Sequence, residues 1–227
     1  MNRLLFDALL GDGEGLPWRV TIDGSPFPVY TDFRHWMRVE STIFDRRITP
    51  EQKALFLLST FTPSVAGGVI PTVNGVPVYP FEVDAAFAAL EWFLSCGGYG
   101  DGEAKTTGRP KGKLERYYDF RHDIAFLYGG FRQAYGIDLT TYGEMHWWKF
   151  FALFSSLPEG CQMRNIISAR SYPLPSKPTA EQRAQKEKIA LPDHIRWLDG
   201  GQRAVSDKSD VDAWAKRITQ RHSKRPD

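Results

Sequence analysis

A run of large apolar side chains at residues 145–154 constrains the fold of this chain more than any other feature. It reads Met-His-Trp-Trp-Lys-Phe-Phe-Ala-Leu-Phe. A helix on the surface of a globular protein needs one apolar stripe, whereas these residues cover almost the whole circumference of a helix. Because such a helix must be surrounded, we expect it to be buried on nearly all sides, by its own domain or by a partner.

Composition places the chain among globular proteins. Its 227 residues are 42% hydrophobic, which is enough to build a core of ordinary size. Cys96 and Cys161 do not make a disulfide framework, and the apolar run at 4–10 is too short for a secretory signal and contains Asp7. No apolar run approaches the ~20 residues of a membrane-spanning helix. We therefore expect a protein of the reducing cytoplasm that does not enter a membrane.

Periodicity predicts a mainly helical domain with a small N-terminal β-hairpin. Apolar residues alternate over 18–30 around Asp23-Gly24, a pair typical of hairpin turns, while Pro26 and Pro28 confine the second arm to an edge or a short strand. Five to seven helices are expected after the hairpin. Capping signals place helix starts at Thr31 or Asp32, at Thr49 with Gln52, at Thr141 with Glu144 and at Thr179 with Gln182.

The spacing of apolar residues predicts three further helices. It also predicts the polar side of the helix after residue 32 and the apolar side of the helix after Thr49. Helices are expected over 83–94, 117–135 and 163–169. In the second of these, Gly136 is expected to end the helix, and one apolar face is traced by Tyr117, Phe120, Ile124, Leu127, Phe131 and Tyr135. Arg34, Arg38 and Glu40 fall on the polar side of the helix that follows residue 32, and Leu55 falls on the apolar side of the helix that follows Thr49.

Two glycines stand inside the helix predicted over 117–135. Each of Gly129 and Gly130 costs about 1 kcal/mol relative to alanine in a helix interior. Either the helix kinks at this point, or another element packs closely against the bare backbone.

Linker composition and charge divide the chain. Residues 63–80 are rich in proline and glycine and predict a loop with a short strand over 75–78, and residues 97–113 predict a mobile loop. Residues 161–227 hold 14 Lys and Arg against 8 Asp and Glu, a net +6, whereas the whole chain carries +2. We therefore expect a helical domain at 1–192 and a basic extension at 193–227 with a short amphipathic helix capped by Ser209.

Enzyme motifs are missing from the sequence. The glycine-rich segment that contains Lys105-Thr106 lacks the spacing of a phosphate-binding loop, and Ser155-Ser156 lacks the nucleophile elbow. The five histidines are scattered, without the His-Glu-x-x-His or Cys-x-x-Cys spacing of a metal site. We expect a non-catalytic protein with no cofactor-binding, metal-binding or catalytic residue.

Asp119, His122 and Asp123 are the one group with the spacing of an acid–base site. Spacings of three and four bring side chains together on a helix, but general acid–base catalysis also needs a pocket and a substrate. The favoured interpretation is structural. Asp119 and Asp123 are expected to form ion pairs with arginines such as Arg121, Arg164 or Arg170, and so to fix how helices pack.

The aromatic helix also supplies the candidate partner-binding residues. Trp147 and Trp148 lie about 100° apart around a helix, and tryptophan is enriched in binding hot spots as well as in cores. Two interpretations stay open: both fill the core, or one of them faces a partner. The candidate partner-binding residues are Trp147, Trp148, Lys149, Phe150, Gly129 and Gly130.

The order of residues between 117 and 170 is distinctive. It contains Asp119, Asp123, Phe131, Tyr135-Gly136-Ile137-Asp138-Leu139, His146-Trp147-Trp148-Lys149-Phe150, Leu157-Pro158 and Arg170. This order resembles the gene-product-fifteen-like proteins of tailed bacteriophages and prophages, over roughly residues 17–190. The loop at 97–113, the chain beyond about residue 191 and Gly129-Gly130 depart from that family.

The resemblance implies a role in building a long phage tail. We expect a tail assembly chaperone in the host bacterial cytoplasm that binds the tape measure protein. The major tail protein is a further candidate partner, and a homo-oligomer is left open. Two alternatives remain. One is a structural component of the virion, such as a neck or tail-terminator protein. The other, less favoured, is a nucleic-acid-binding module that uses the basic tail of Lys216, Arg217, Arg221, Lys224 and Arg225.

Overall fold

The protein folds mainly into helices, as predicted, with helical residues making up 53% of the structure. The computed structural model describes residues 15–62, 72–73, 76–77, 81–97 and 114–198. In these ranges the helices are α1 (Phe33–Phe44), α2 (Pro50–Leu58), α3 (Val83–Leu94), α4 (Ile124–Tyr135), α5 (Trp147–Ser155), α6 (Gln162–Ser171), α7 (Ala180–Ile189) and α8 (Asp193–Arg196). The strands are β1 (Arg19–Ile22), β2 (Ser25–Pro28), β3 (Thr72–Val73), β4 (Val76–Pro77), β5 (Leu114–Glu115) and β6 (Trp197–Leu198).

The N-terminal hairpin forms as predicted. β1 and β2 pair antiparallel, with Val20 opposite Phe27. The turn between them has positive φ at both central residues, 49° at Asp23 and 79° at Gly24, as a tight hairpin turn requires. Val20, Ile22 and Phe27 are buried, so one face of the ribbon packs against the helical core.

Local capping signals set the starts of α1, α2 and α7. The Asp32 carboxylate accepts a hydrogen bond from the Arg34 backbone N–H at 2.9 Å and caps α1. Thr49 with Gln52, and Thr179 with Gln182, form the predicted capping boxes. These motifs involve residues three apart, so they fold independently of the distant chain.

The helix predicted over 117–135 is shorter than expected, because α4 begins only at Ile124. The Asp119 carboxylate accepts hydrogen bonds from the backbone N–H groups of Arg121 and His122. This local bonding competes with helix formation and turns the chain before α4. Ile124 is 49% exposed, so its predicted place on the buried face was wrong. Gly136, with φ of +67°, ends the helix as predicted.

The cap predicted for the aromatic helix was wrong. Thr141 and Glu144 do not begin α5; His146 does, by accepting the Trp148 backbone N–H on Nδ1 at 3.1 Å. Backbone bonds to the start of α1 fix this position, since Trp147 N–H donates to Thr31 O and Phe33 N–H donates to Met145 O. Residues 140–142 instead turn around Asp138.

The aromatic helix α5 lies in the core. Trp147 and Trp148 are each 1% exposed, and Phe150 stacks between Phe33 at 4.8 Å and Phe131 at 5.1 Å. The two indole N–H groups donate to backbone carbonyls at the end of α3, as their burial requires. The expectation of burial on nearly all sides is met only in part, since Lys149 and Ser155 are exposed and residues 151–153 are partly buried.

Two predicted helix faces were wrong. Glu40 was expected on the polar side of α1 but is only 6% exposed, because it pairs with a buried arginine from a distant segment. Leu55 was expected in the core but is 53% exposed, while Ala54, Leu57 and Leu58 form the buried face of α2.

Some predicted segments fall partly outside the described residues. The short strand predicted over 75–78 is present as β4, paired with β3. The loop over 97–113, apart from its first residue, and the helix capped by Ser209 are not described. The chain just after residue 192 contacts the helical domain, since Arg46 N–H donates to His194 O at 2.8 Å and β6 pairs with β5.

Removing a ring from the aromatic core should be costly. We expect Phe131→Ala, which removes a fully buried ring, to lower the free energy of unfolding by about 3–5 kcal/mol. Phe151 is on the outer side of α5 and only partly buried, so Phe151→Ala should cost less. Chemical denaturation measures both, and equal losses would show that the core is centred elsewhere.

Candidate partner-binding groove

An open groove of about 780 Å³ lies between α1 and α4. α1 packs against α2 and α5, whereas α4 packs against α6, so the sides of α1 and α4 that face each other leave space between them. Such a space, flanked by two helices and open to solvent, is the usual form of a groove that receives a helix.

The floor of the groove is the outer surface of the aromatic core. It is formed by Phe33, Phe120 and Leu139, all of them buried. Phe120 makes edge-to-face contacts with Trp147 at 6.0 Å and with Phe150 at 5.7 Å. The rings that support the groove are therefore held by the most tightly packed part of the protein.

The walls of the groove are also mostly apolar. Met37 projects from α1, Phe56 from α2, and Ile124 and Tyr128 from α4. The Tyr128 hydroxyl donates to the Asp138 carboxylate at 3.3 Å, which orients the ring. Ile124 is a large apolar side chain left half exposed at the mouth, where a partner can cover it.

Arginines stand around this apolar surface. Arg34, Arg38 and Arg121 line the groove, and no Asp or Glu is among its described lining residues. Arg34 is partly neutralised, since its guanidinium pairs with Asp32 at 3.0 Å. Arg38 and Arg121 are exposed and form no ion pair with any residue in the described ranges. The groove therefore offers positive charge at its edge.

A buried hydroxyl of the groove lining lacks a hydrogen-bond partner among the described residues. Ser41 is 6% exposed, and its hydroxyl has no hydrogen-bond partner among the described residues. A buried hydroxyl left unpaired costs about 1–3 kcal/mol. Because the hydroxyl oxygen is enclosed, a ligand in the groove does not reach it.

A buried charge network holds the segment that supplies Phe120. Arg116 bonds Glu40 at 2.5 Å and approaches Asp119 at 3.4 Å. Arg170 bonds Asp123 in a bidentate manner, at 2.6 and 2.9 Å. The Asp119 backbone N–H donates to the Asp123 carboxylate, which joins the two groups.

The predicted ion-pair residues differ in the partners that they have in the structure. Asp123 and Arg170 pair with each other, whereas Asp119 lies against Arg116, which the sequence did not single out. Arg164 is exposed on α6 and takes no part in this network. Arg116 was missed because its partner Glu40 is 76 residues away in the chain.

The predicted partner-binding residues also lie in different environments, some of them buried and others exposed. Trp147, Trp148 and Phe150 are enclosed by their own domain and present no surface to a partner. Gly130 packs against α6, but a Cβ there would lie 3.5 Å from Met163 Cβ, an ordinary van der Waals contact, so packing does not require a glycine at this position. Gly129 and Lys149 are exposed, but neither lines the groove.

The groove residues carried weaker sequence signals. The sequence places Arg38 only on a polar helix face and Ile124 only on an apolar one. An arginine without an ion-pair partner and an isoleucine at a helix start indicate a groove only once the relative positions of the two helices are known. The sequence of neither helix specifies the distance between α1 and α4.

The charge network makes stability depend on pH. Burial raises the pKa of Glu40 from its ordinary 4.5 to about 7, despite the opposing charge of Arg116. The folded state thus favours the protonated carboxyl, so the stabilisation is complete below about pH 4.5 and is lost as pH rises through about 7. We expect the free energy of unfolding to fall by about 3 kcal/mol over this pH range.

The control for this prediction is Glu40→Gln, which keeps the shape and removes the titration. Unfolding free energies of both proteins, measured with denaturant at about pH 5 and about pH 8, give the contribution of Glu40 by difference. His35 and His146, whose pKa values burial lowers, titrate in both proteins and cancel. A difference between the proteins that does not change with pH would contradict the prediction.

None of the described helices has the length and apolar character to cross a membrane. No match to the chain was found among curated proteins or among solved structures. The sequence does match the family described as Bacteriophage Gp15 protein, over residues 13–191. That range agrees with the resemblance expected over 17–190, and a phage structural or virion-related protein is the class it indicates. With most of its length covered by the match, this chain belongs to the Bacteriophage Gp15 protein family.

Proposed function

We propose that this protein is a non-catalytic tail assembly chaperone that binds the tape measure protein while a long phage tail is built. Membership of the phage family supports a role in making the virion. The observation that carries the finer proposal is the open apolar groove between α1 and α4. It gives the protein a surface suited to another protein's helix.

The chemistry of a tape measure protein fits such a surface. Tape measure proteins are long, largely helical and prone to aggregate through exposed apolar stripes. A groove with an apolar floor covers such a stripe by helix-in-groove binding, with anchors at i, i+3 or i+4, and i+7. Covering it removes the surface through which the tape measure protein associates with itself.

Several copies of the protein on one tape measure protein would strengthen the complex. Each additional copy along a linked series of sites binds at a raised effective concentration. The same reasoning admits the major tail protein as a second partner and a homo-oligomer of the chaperone. We place this activity in the host bacterial cytoplasm, where phage tails are assembled.

The groove gives the proposal a direct test by co-expression with the tape measure protein of the same phage. We expect the wild-type protein to raise the soluble fraction of the tape measure protein. Ile124→Asp should abolish this effect, because it places a charge at the apolar mouth of the groove. Ile124 is half exposed and begins α4, where an acidic residue is compatible with the helix, so the fold should be retained.

The matched control is Leu55→Asp. Leu55 is 53% exposed on α2 and does not line the groove, so this variant should keep the tape measure protein soluble. Mass spectrometry of purified virions completes the test. If the wild-type protein leaves solubility unchanged and is found in finished virions at fixed copy number, the protein is a structural component instead.

A further inference from the structure

We propose that the partner segment bound by this groove is an amphipathic helix whose apolar stripe is flanked by acidic residues. This inference deepens the proposed function and rests on it, because it specifies which part of a tape measure protein is recognised. It follows from the charge, the depth and the size of the groove.

Charge selects the flanks of the bound helix. The described lining includes three arginines and no acidic residue, and Arg38 and Arg121 form no ion pair within the described ranges. Arg38 stands on α1 and Arg121 just before α4, so positive charge lies on both sides of the apolar floor. Acidic residues on both sides of the bound stripe would meet these guanidiniums, and basic residues there would be repelled.

The apolar floor of the groove determines that the partner helix binds through its apolar stripe. Phe33, Phe120 and Leu139 are apolar and cannot satisfy a polar side chain that reaches them. The Ser41 hydroxyl on the α1 side is enclosed, so it offers no hydrogen bond to a bound side chain either.

Size sets the length of the bound segment. The groove volume of about 780 Å³ is roughly five times that of the ~150 Å³ cavity that holds one benzene molecule. It therefore accommodates several apolar side chains. Anchors at i, i+4 and i+7 extend over roughly 10 Å of helix, or about two turns. A short segment of a long helical partner is sufficient.

The experiment uses two synthetic peptides of about 20 residues, long enough to be helical in water. Both carry the same leucine stripe at i, i+4 and i+7; one is flanked by glutamate and the other by lysine. We expect the glutamate peptide to bind the full-length protein at least tenfold more tightly at low salt. Its affinity should fall as salt is raised, because the pairs at the rim are exposed.

Variants assign the binding to the groove. The double variant Arg38→Glu with Arg121→Glu should weaken the glutamate peptide by about tenfold or more and strengthen the lysine peptide. The matched control is Arg164→Glu, a charge reversal at an exposed arginine on α6 that does not line the groove. It should leave both affinities unchanged. Ile124→Asp should weaken the binding of both peptides, because it places a charge where the apolar stripe of each peptide binds.

Several results would overturn the inference. Equal binding of the two peptides, or equal losses in the double variant and the Arg164→Glu control, would show that the arginines of the groove do not select the partner. A wild-type dimer in light scattering that Ile124→Asp converts to a monomer would show that a second copy fills the groove.

The test also separates this inference from the chaperone function. If the glutamate peptide binds as expected but the wild-type protein leaves the tape measure protein insoluble, the groove inference holds and the chaperone function fails. If the double variant loses the peptide but still keeps the tape measure protein soluble, the function holds and the groove is not its binding site.

Discussion

The position of the groove depends on a buried network of charges. Glu40, Arg116 and Asp119 link α1 to the segment before α4, and Asp123 with Arg170 links that segment to α6. Burying ions is costly, so such a network contributes less to stability than to choosing one arrangement of the helices. Three carboxylates meet two guanidiniums, and the raised pKa of Glu40 lets one carboxyl carry a proton and balance the charge. The network thereby fixes Phe120 under the groove.

The aromatic helix has a second role beyond filling space. Trp147 and Trp148 donate their indole N–H groups, at 2.9 Å each, to the carbonyls of Leu94 and Phe93 at the end of α3. The last carbonyls of a helix have no partner within that helix. Here the indoles of the neighbouring helix supply donors, in addition to the Cys96 backbone N–H that donates to Phe93 O. The two tryptophans therefore connect α5 to α3 by hydrogen bonds as well as by packing. This explains why two adjacent tryptophans can both be core residues.

Local signals predicted much of the fold. The Asp23-Gly24 turn, the two capping boxes and the stop at Gly136 each depend on a few neighbouring residues, and each formed as expected. The errors arose where a distant contact or a competing side chain decided the outcome. Glu40 turned inward because of Arg116, and α4 began late because Asp119 holds the backbone before it. The groove could not be predicted at all, since it is the space between two helices that do not pack together.

The contact between the groove floor and the core links binding to folding. Phe120 touches the groove on one side and the rings of Trp147 and Phe150 on the other. A partner that binds only the folded protein adds RT ln(1 + [L]/Kd) to its stability. The free protein would then be the less stable form, more open to local unfolding and proteolysis, and the partner-bound form would be protected. Under the proposed function, the amount of free chaperone in an infected cell would adjust itself to the supply of tape measure protein.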